Sequence, residues 1–174
     1  MHGINKTCRS PCRESCSGFF LYPHYRQHPR DLFDVMQLYQ NEGLTDDLRK
    51  TFLIFLVSHF RPMSELLNPN RKDISTIYEN EFVQMAEVDV SLEELLETRE
   101  RLIHDINNMT ENERQFLLSV KNKTPDFSLL EMENPDLIAD LPSVKWRLIN
   151  LAKMSPAKHA KAFKDLHDVL YPER

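Results

Sequence analysis

The stretch Ser91-Leu92-Glu93-Glu94-Leu95-Leu96 is the clearest structural signal in the sequence. A serine followed three residues later by a glutamate is the capping box that opens an α-helix, because each side chain accepts a hydrogen bond from the other residue's backbone N–H. Leucine and isoleucine then recur at helical spacing as far as Ile106. Thr110 and Glu113 repeat the capping signal one helix later. We therefore predict two consecutive helices in this part of the chain.

Outward from this pair, the same apolar period and the same start and stop signals occur along most of the chain. Glycine is scarce, with three residues in total. Sheet proteins need many tight turns with positive φ, so this scarcity favours helices. We predict an all-α, bundle-like domain of about seven helices without strands. The other predicted helices begin at Pro29 (ending by Gly43), after Thr45 (ending before Pro62), near Asp73 (ending near Met85), at Pro142 and at Ser155-Pro156, with a short turn at residues 64–67 and an irregular connection at residues 122–140.

Residues 1–25 differ in composition from the rest of the chain. They contain all three cysteines, Cys8, Cys12 and Cys16, and show no helical apolar period before Phe19. The C-x3-C-x3-C spacing differs from that of zinc sites, and an odd number of cysteines fits badly with a disulfide framework. We predict a flexible or non-native leader over residues 1–25 and a helical domain over residues 26–174.

Hydropathy and net charge exclude several classes of protein. No apolar stretch approaches the roughly 18 residues that span a bilayer. The N-terminus also lacks the apolar region of a secretory signal, so we expect a cytoplasmic protein. A net charge of −5 argues against a general nucleic-acid coat.

The charge is unevenly distributed along the sequence. Residues 79–113 carry a net charge of −9, whereas residues 142–164 contain six basic residues and no acidic one. Either these two segments face each other or water, or the basic segment contacts RNA or another anionic partner. Trp146, on the Leu148 side of an amphipathic helix, is predicted to lie in the core. The six basic residues are Lys145, Arg147, Lys153, Lys158, Lys161 and Lys164.

Arg30-Asp31-Leu32-Phe33-Asp34 is the segment with the clearest chemical character. Asp31 and Asp34 are three residues apart, so a helix places both carboxylates on one face. With Arg26 and Arg30 nearby, the pair suits three roles: holding a divalent metal, orienting a polyphosphate or accepting a proton. The structural alternative is that Asp31 compensates the helix dipole while Arg30 pairs with Asp34. Spacing alone leaves both interpretations open.

The segment Arg26-Gln27-His28-Pro29-Arg30-Asp31-Leu32-Phe33-Asp34-Val35 resembles the helix-opening motif of the AbiEii/AbiGii toxin family. Members of that family are nucleotidyltransferase-like toxins of type IV toxin–antitoxin systems. The resemblance covers about residues 26–174, and the joint pattern is more specific than any single piece. Further similar segments are Ser58-His59-Phe60-Arg61-Pro62 with Glu65-Leu66-Leu67-Asn68-Pro69, Ser91-Leu92-Glu93-Glu94-Leu95, Glu113-Arg114-Gln115-Phe116-Leu117-Leu118 and Leu141-Pro142-Ser143-Val144-Lys145-Trp146-Arg147-Leu148.

The resemblance implies a strand-bearing N-terminal domain with a Gly-Ser signature and an Asp-x-Asp pair that binds Mg²⁺. A motif ending in Arg/Lys-Asp-x-x-Asp and a helical part follow it. This sequence has neither the Gly-Ser signature nor the motif's lysine several residues before Arg26, where it reads Gly18-Phe19-Phe20-Leu21-Tyr22, and Asp89 lacks the context of an Asp-x-Asp pair. We therefore expect a truncated bacterial family member that binds no cofactor by itself. The residues that match the end of the motif are Arg26, Arg30, Asp31 and Asp34.

Two functional hypotheses follow from the resemblance and the charge pattern. In the first, the chain is part of a nucleotidyltransferase toxin that acts on NTP and RNA when complete, is inactive as this fragment, and is paired with a DNA-binding antitoxin. In the alternative, the chain is a non-enzymatic helical module that binds RNA or a protein partner.

Overall fold

A computed structural model describes residues 26–83 and 89–172 of the chain. Within these ranges the protein consists of helices without strands, so the predicted all-α fold is confirmed. No helix in these ranges is both long and apolar enough to cross a membrane. The predictions for residues 1–25 lie outside the described residues. The helices are α1 (Pro29–Asn41), α2 (Asp46–Ser58), α3 (Met63–Leu67), α4 (Ser75–Ile77) with a π-helical turn (Tyr78–Phe82), α5 (Leu92–Asn107), α6 (Glu111–Lys121), a 3₁₀ turn (Phe127–Leu130), α7 (Pro135–Ala139), α8 (Pro142–Ala152) and α9 (Pro156–Leu170).

The two predicted capping boxes are present. At the start of α5, Ser91 Oγ accepts a hydrogen bond from the Glu94 backbone N–H over 3.2 Å, and Glu94 Oε2 accepts one from the Ser91 N–H over 2.7 Å. Thr110 and Glu113 make the same pair of bonds at the start of α6, over 3.3 and 2.8 Å. These side chains satisfy N–H groups that have no partner within the first turn of a helix.

The C-terminal end of α1 and the start of α2 also follow the sequence signals. Gly43 adopts a φ of +73°, which is the left-handed conformation that commonly ends a helix, and its N–H donates to the Leu38 carbonyl over 2.9 Å. Thr45 then caps α2, because its Oγ1 accepts a hydrogen bond from the Leu48 N–H over 3.3 Å. The connection between α1 and α2 is therefore determined by local chemistry.

The buried apolar residues form two clusters, and α1 contacts both of them. The larger cluster contains Val35 of α1, and the smaller one contains Leu32 of the same helix. Both side chains are fully buried. The smaller cluster joins α1 to the π-helical turn and to α5, whereas the larger one joins α2 and α6 to α8 and α9. The first helix is therefore fixed to the two halves of the core at once.

The predicted helix over residues 73–85 is shorter and less regular in the structure, and residues 84–88 lie outside the described part of the chain. A π-helical turn replaces most of it, with the Val83 N–H donating to the Tyr78 carbonyl over 3.0 Å. Tyr78 stacks on Phe82 at 5.7 Å, and its hydroxyl donates to the Val90 carbonyl over 2.7 Å. The bond from Tyr78 to the Val90 carbonyl joins residues twelve positions apart, and no helical period encodes it.

The predicted irregular connection over residues 122–140 contains two short helical segments. Asp126 accepts a hydrogen bond from the Ser128 N–H over 3.1 Å and so caps the 3₁₀ turn. The ring of Phe127 in this turn packs against the ring of Phe116, with 5.4 Å between the ring centroids. Pro135 begins α7 instead of interrupting it, because a proline at the first helical position loses no hydrogen bond.

Trp146 lies on the surface with 52% of its area exposed, so the prediction that it is a core residue is wrong. The buried face of α8 is formed by Val144, Arg147 and Leu151, spaced three and four residues apart. Trp146 precedes Arg147 by one residue, and a step of about 100° around the helix turns it away from the core.

Glu113 connects α6 to α2, and its replacement tests the contribution of this link to stability. Its carboxylate is 1% exposed, caps its own helix and accepts hydrogen bonds from Arg49 Nε over 3.2 Å to each oxygen. Glu113→Ala leaves the half-buried Arg49 without this partner, so we expect the free energy of unfolding to fall by about 2–4 kcal/mol in urea denaturation.

The matched control for this variant is Glu93→Ala, which removes an exposed glutamate from the first turn of α5. We expect it to lower the free energy of unfolding by less than about 1 kcal/mol, because only the interaction with the helix dipole is lost. Equal effects of the two substitutions would contradict a structural role of the Arg49–Glu113 pair.

Candidate functional site

The start of α1 places the acidic and basic residues of the candidate site. His28 caps the helix, since its Nδ1 accepts a hydrogen bond from the Arg30 N–H over 3.2 Å. The other ring nitrogen, Nε2, then carries the proton and donates to Glu81 over 3.3 Å. Pro29 follows at the first helical position and is buried. The histidine cap was not predicted, because histidine is not among the residues that usually cap helices.

Gln27 fixes the chain immediately before this helix. Its side chain is 1% exposed, and its backbone adopts a left-handed φ of +55°. The amide donates to the Asn70 carbonyl over 2.7 Å and accepts from the Lys72 N–H over 2.9 Å. Arg99 of α5 donates to the same Gln27 oxygen over 3.2 Å and to the Lys72 carbonyl over 2.8 Å. A buried polar network therefore joins α1, the loop after α3 and α5.

Asp31 and Asp34 lie beside the buried face of α1 and are each partly exposed. Burial and the nearby charge of Asp31 raise the pKa of Asp34, whereas the positive charge of Arg30 lowers it. Asp31 Oδ2 is buried and accepts no hydrogen bond from any of the described residues. A carboxyl group with a raised pKa is a better proton acceptor than an ordinary one.

The structure brings Arg30, Asp31 and Asp34 together on one turn, as the sequence predicts. Arg26 lies just before this turn and is exposed. Residues 26–83 and 89–172 contain no group of three or more potential ligands that could hold a metal ion. Mg²⁺ usually needs carboxylates together with phosphates or waters around it, so the pair on α1 does not by itself form a magnesium site. The chemistry open to the pair is proton transfer, hydrogen bonding to a ligand and, together with the phosphates of a nucleotide, metal binding.

The predicted basic contact residues separate into two groups. Five lysines are exposed, and one of them, Lys145, pairs with Asp140 over 3.0 Å. Arg147 is 9% exposed, and its guanidinium donates to the carbonyls of Phe60 and Arg61 over 3.2 and 3.1 Å. Arg147 is therefore part of the protein interior and does not belong to the exposed basic surface. The exposed residues are Lys145, Lys153, Lys158, Lys161 and Lys164.

Burial lowers the pKa of Arg147, and the same cause, together with the charge of Arg147, lowers the pKa of Lys121. Arg147 attaches α8 to the loop that follows α2. This loop and the start of α8 are two of the segments in which the sequence resembles its family. Their contact was not predicted, because a guanidinium bound to backbone carbonyls leaves no side-chain motif in the sequence.

A family model confirms the resemblance on which the sequence analysis depends. The model described as nucleotidyl transferase AbiEii toxin, type IV TA system, matches residues 20–150, which is more than half of the chain. The protein therefore belongs to the AbiEii family of nucleotidyltransferase-like toxins. Its description as the toxin of a type IV toxin–antitoxin system implies an antitoxin partner. The match ends within α8, so α9 lies beyond the matched residues.

No curated protein and no solved structure shows significant similarity to this chain.

Replacing Gln27 tests whether the buried network holds the start of α1. Gln27→Ala leaves the Lys72 N–H without its acceptor and removes one partner of Arg99. We expect the free energy of unfolding to fall by about 2–3 kcal/mol in urea denaturation, because buried polar groups lose their partners. Gln40→Ala, at an exposed position on the same helix, is the control and is expected to change stability by less than about 0.5 kcal/mol.

The raised pKa of Asp34 predicts a pH dependence of stability. Between the ordinary value of 3.8 and the raised folded value, the folded state binds more protons than the unfolded state, so stability falls as the pH rises through this window. At pH 7 the charged carboxylate therefore destabilises the fold, and we expect Asp34→Asn to be more stable than the natural protein. The difference should shrink as the pH is lowered toward 3.8. Urea denaturation at several pH values measures it.

The control for this prediction is Asp136→Asn, in the first turn of α7, where the side chain is exposed. A loss of stability in Asp34→Asn at pH 7 would contradict the electrostatic environment described for α1.

Proposed function

We propose that this protein takes part in the transfer of a nucleotidyl group from an NTP to RNA, and that α1 carries the proton acceptor of this reaction. The observation on which the proposal rests is the AbiEii family match, which includes the whole of α1 with Asp31 and Asp34. A nucleotidyl transfer forms a bond between an RNA hydroxyl oxygen and the α-phosphorus of the NTP. It breaks the bond to pyrophosphate and releases the hydroxyl proton.

The proposed acceptor of this proton is Asp34. Its raised pKa brings the carboxylate closer to the acidity at which a general base is efficient, while Arg30 on the same turn keeps enough positive charge nearby for the ionised form to exist. Asp31, whose side chain is partly exposed, would orient the attacking hydroxyl by accepting its hydrogen bond. The exposed Arg26 and Arg30 would contact the phosphates of the nucleotide.

The exposed lysines of α8 and α9 are proposed to hold the RNA. Residues 142–164 contain no acidic side chain, so the phosphates of an RNA strand meet no repulsion from this segment. Lysine ammonium groups bind phosphate oxygens as point charges without requiring a fixed geometry. The contact would therefore be salt-dependent and largely independent of the RNA sequence.

The Mg²⁺ chemistry expected of the family needs further carboxylates, which we assign to a second polypeptide. When bound, Mg²⁺ would stabilise the charge that develops on the phosphates. On this proposal the purified chain alone is inactive in transfer.

A second candidate function is a non-enzymatic helical module that binds RNA. The exposed lysines support it, because they need no catalytic partner to bind an anionic strand. It differs from the first proposal in giving Asp31 and Asp34 no chemical role.

The two functions are separated by a transfer assay with labelled NTPs, RNA and Mg²⁺. The chain is assayed alone and together with the strand-bearing domain of another AbiEii-family toxin supplied in trans. We expect labelling of RNA only in the combined sample. Asp34→Asn should reduce it by about 100-fold, the size of effect expected when a general base is removed.

The control variant is Asp168→Asn, an exposed aspartate near the end of α9, for which labelling should be unchanged. If the combined sample labels RNA and neither Asp31→Asn nor Asp34→Asn reduces the labelling, α1 has no catalytic role. If RNA is bound but never labelled, the non-enzymatic function is the better description.

A further inference from the structure

The outward face of α8 combines a half-exposed tryptophan with lysines. Trp146 and Ile149 are 52% and 53% exposed and lie one turn apart. Lys145 is adjacent to Trp146, and Lys153 follows it at a spacing of seven residues, which corresponds to about two turns and the same face. All four side chains point away from the core formed by the other side of the helix.

Contacts within the protein fix the orientation of α8 about its own axis, and this orientation exposes Trp146. Arg147 donates to two backbone carbonyls of the loop after α2, and Val144 and Leu151 are buried on the same side. Turning Trp146 inward would break both hydrogen bonds and leave a buried guanidinium without acceptors, which is costly. A large aromatic side chain is thus held at the surface, where its apolar area remains in contact with water.

The charges around Trp146 favour an anionic occupant. Among the described residues, Asp140 is an acidic side chain that contacts this face, through its ion pair with Lys145. A second copy of the same face is disfavoured, because lysines would then oppose lysines. Single-stranded RNA fits the combination, since an unpaired base stacks on an aromatic ring while neighbouring cations contact the phosphates on either side.

We propose that the outward face of α8 binds single-stranded RNA, with an unpaired base stacked on Trp146 and flanking phosphates on Lys145 and Lys153. The inference rests on the proposed function for the choice of RNA as the partner. The proposed RNA contact lies on α8, whereas the proposed proton acceptor lies on α1. Base stacking tolerates every nucleotide, so this contact positions the strand without selecting its sequence.

Trp146 is the only tryptophan in the chain, so intrinsic fluorescence reports on this residue alone. The full chain is titrated with a single-stranded oligouridine and with an abasic oligonucleotide of the same length. Binding of each is measured separately by the anisotropy of a terminal label. We expect the oligouridine to quench the tryptophan emission as it binds, and the abasic strand, which offers phosphates without bases, to bind more weakly and without quenching.

The variant Trp146→Leu keeps an apolar side chain at an exposed position and should fold normally, which circular dichroism checks. We expect it to bind oligouridine about tenfold more weakly and the abasic strand as the natural protein does, because only stacking is lost. Phe60→Leu is the matched control: Phe60 is an exposed aromatic residue, at 68%, outside the basic segment. Its removal should change neither affinity.

Three results would overturn the proposal. Oligouridine that binds without quenching Trp146 would leave the lysine surface as an RNA contact but exclude stacking. Absence of binding to either strand would exclude both the stacking on Trp146 and the lysine contacts with RNA. An emission change that follows protein concentration instead of RNA would assign the surface to a second copy of the chain. The transfer assay tests the role of Asp34 and does not depend on these binding measurements. A failure of the proposed catalytic role of α1 can therefore be distinguished from a failure of the proposed RNA contact on α8.

Discussion

The burial of α1 in two separate apolar clusters is the constraint on which the arrangement of this domain depends. Leu32 packs in the smaller cluster and Val35 in the larger, so one helical turn joins both parts of the core. The buried amide of Gln27 adds a polar connection to α5 and to the loop after α3. These contacts fix the position of the helical turn that carries Asp31 and Asp34.

The position of this turn sets the electrostatic environment of Asp34. The pKa of Asp34 is raised because the carboxyl group is partly buried and lies near the negative charge of Asp31. An aspartate on a fully solvated helix face has neither influence. A charged group held in an unfavourable place lowers the stability of the fold, and such groups occur frequently at functional sites. The family match includes α1, and the raised pKa of Asp34 supports its proposed role as proton acceptor.

Arg147 has a comparable effect on α8. By binding the carbonyls of Phe60 and Arg61, it fixes the rotation of α8 and holds Trp146 at the surface. Arg147 was predicted to contact RNA and instead fixes the orientation of its own helix. Trp146, Lys145 and Lys153 lie on the outward face of that helix, which is the proposed RNA contact.

The sequence by itself determined the helical class, most helix starts and the family, because caps, apolar periods and motifs depend on neighbours within a few residues. It also brought Arg30, Asp31 and Asp34 onto one turn, since helical geometry is local. Only the tertiary structure decided the π-helical turn around Tyr78, the environment of Asp34 and the opposite positions of Trp146 and Arg147. Each of these depends on contacts between residues far apart in the chain, such as the bond between Arg147 and the Phe60 carbonyl. Amphipathic periodicity cannot tell which of two adjacent residues will find such a partner.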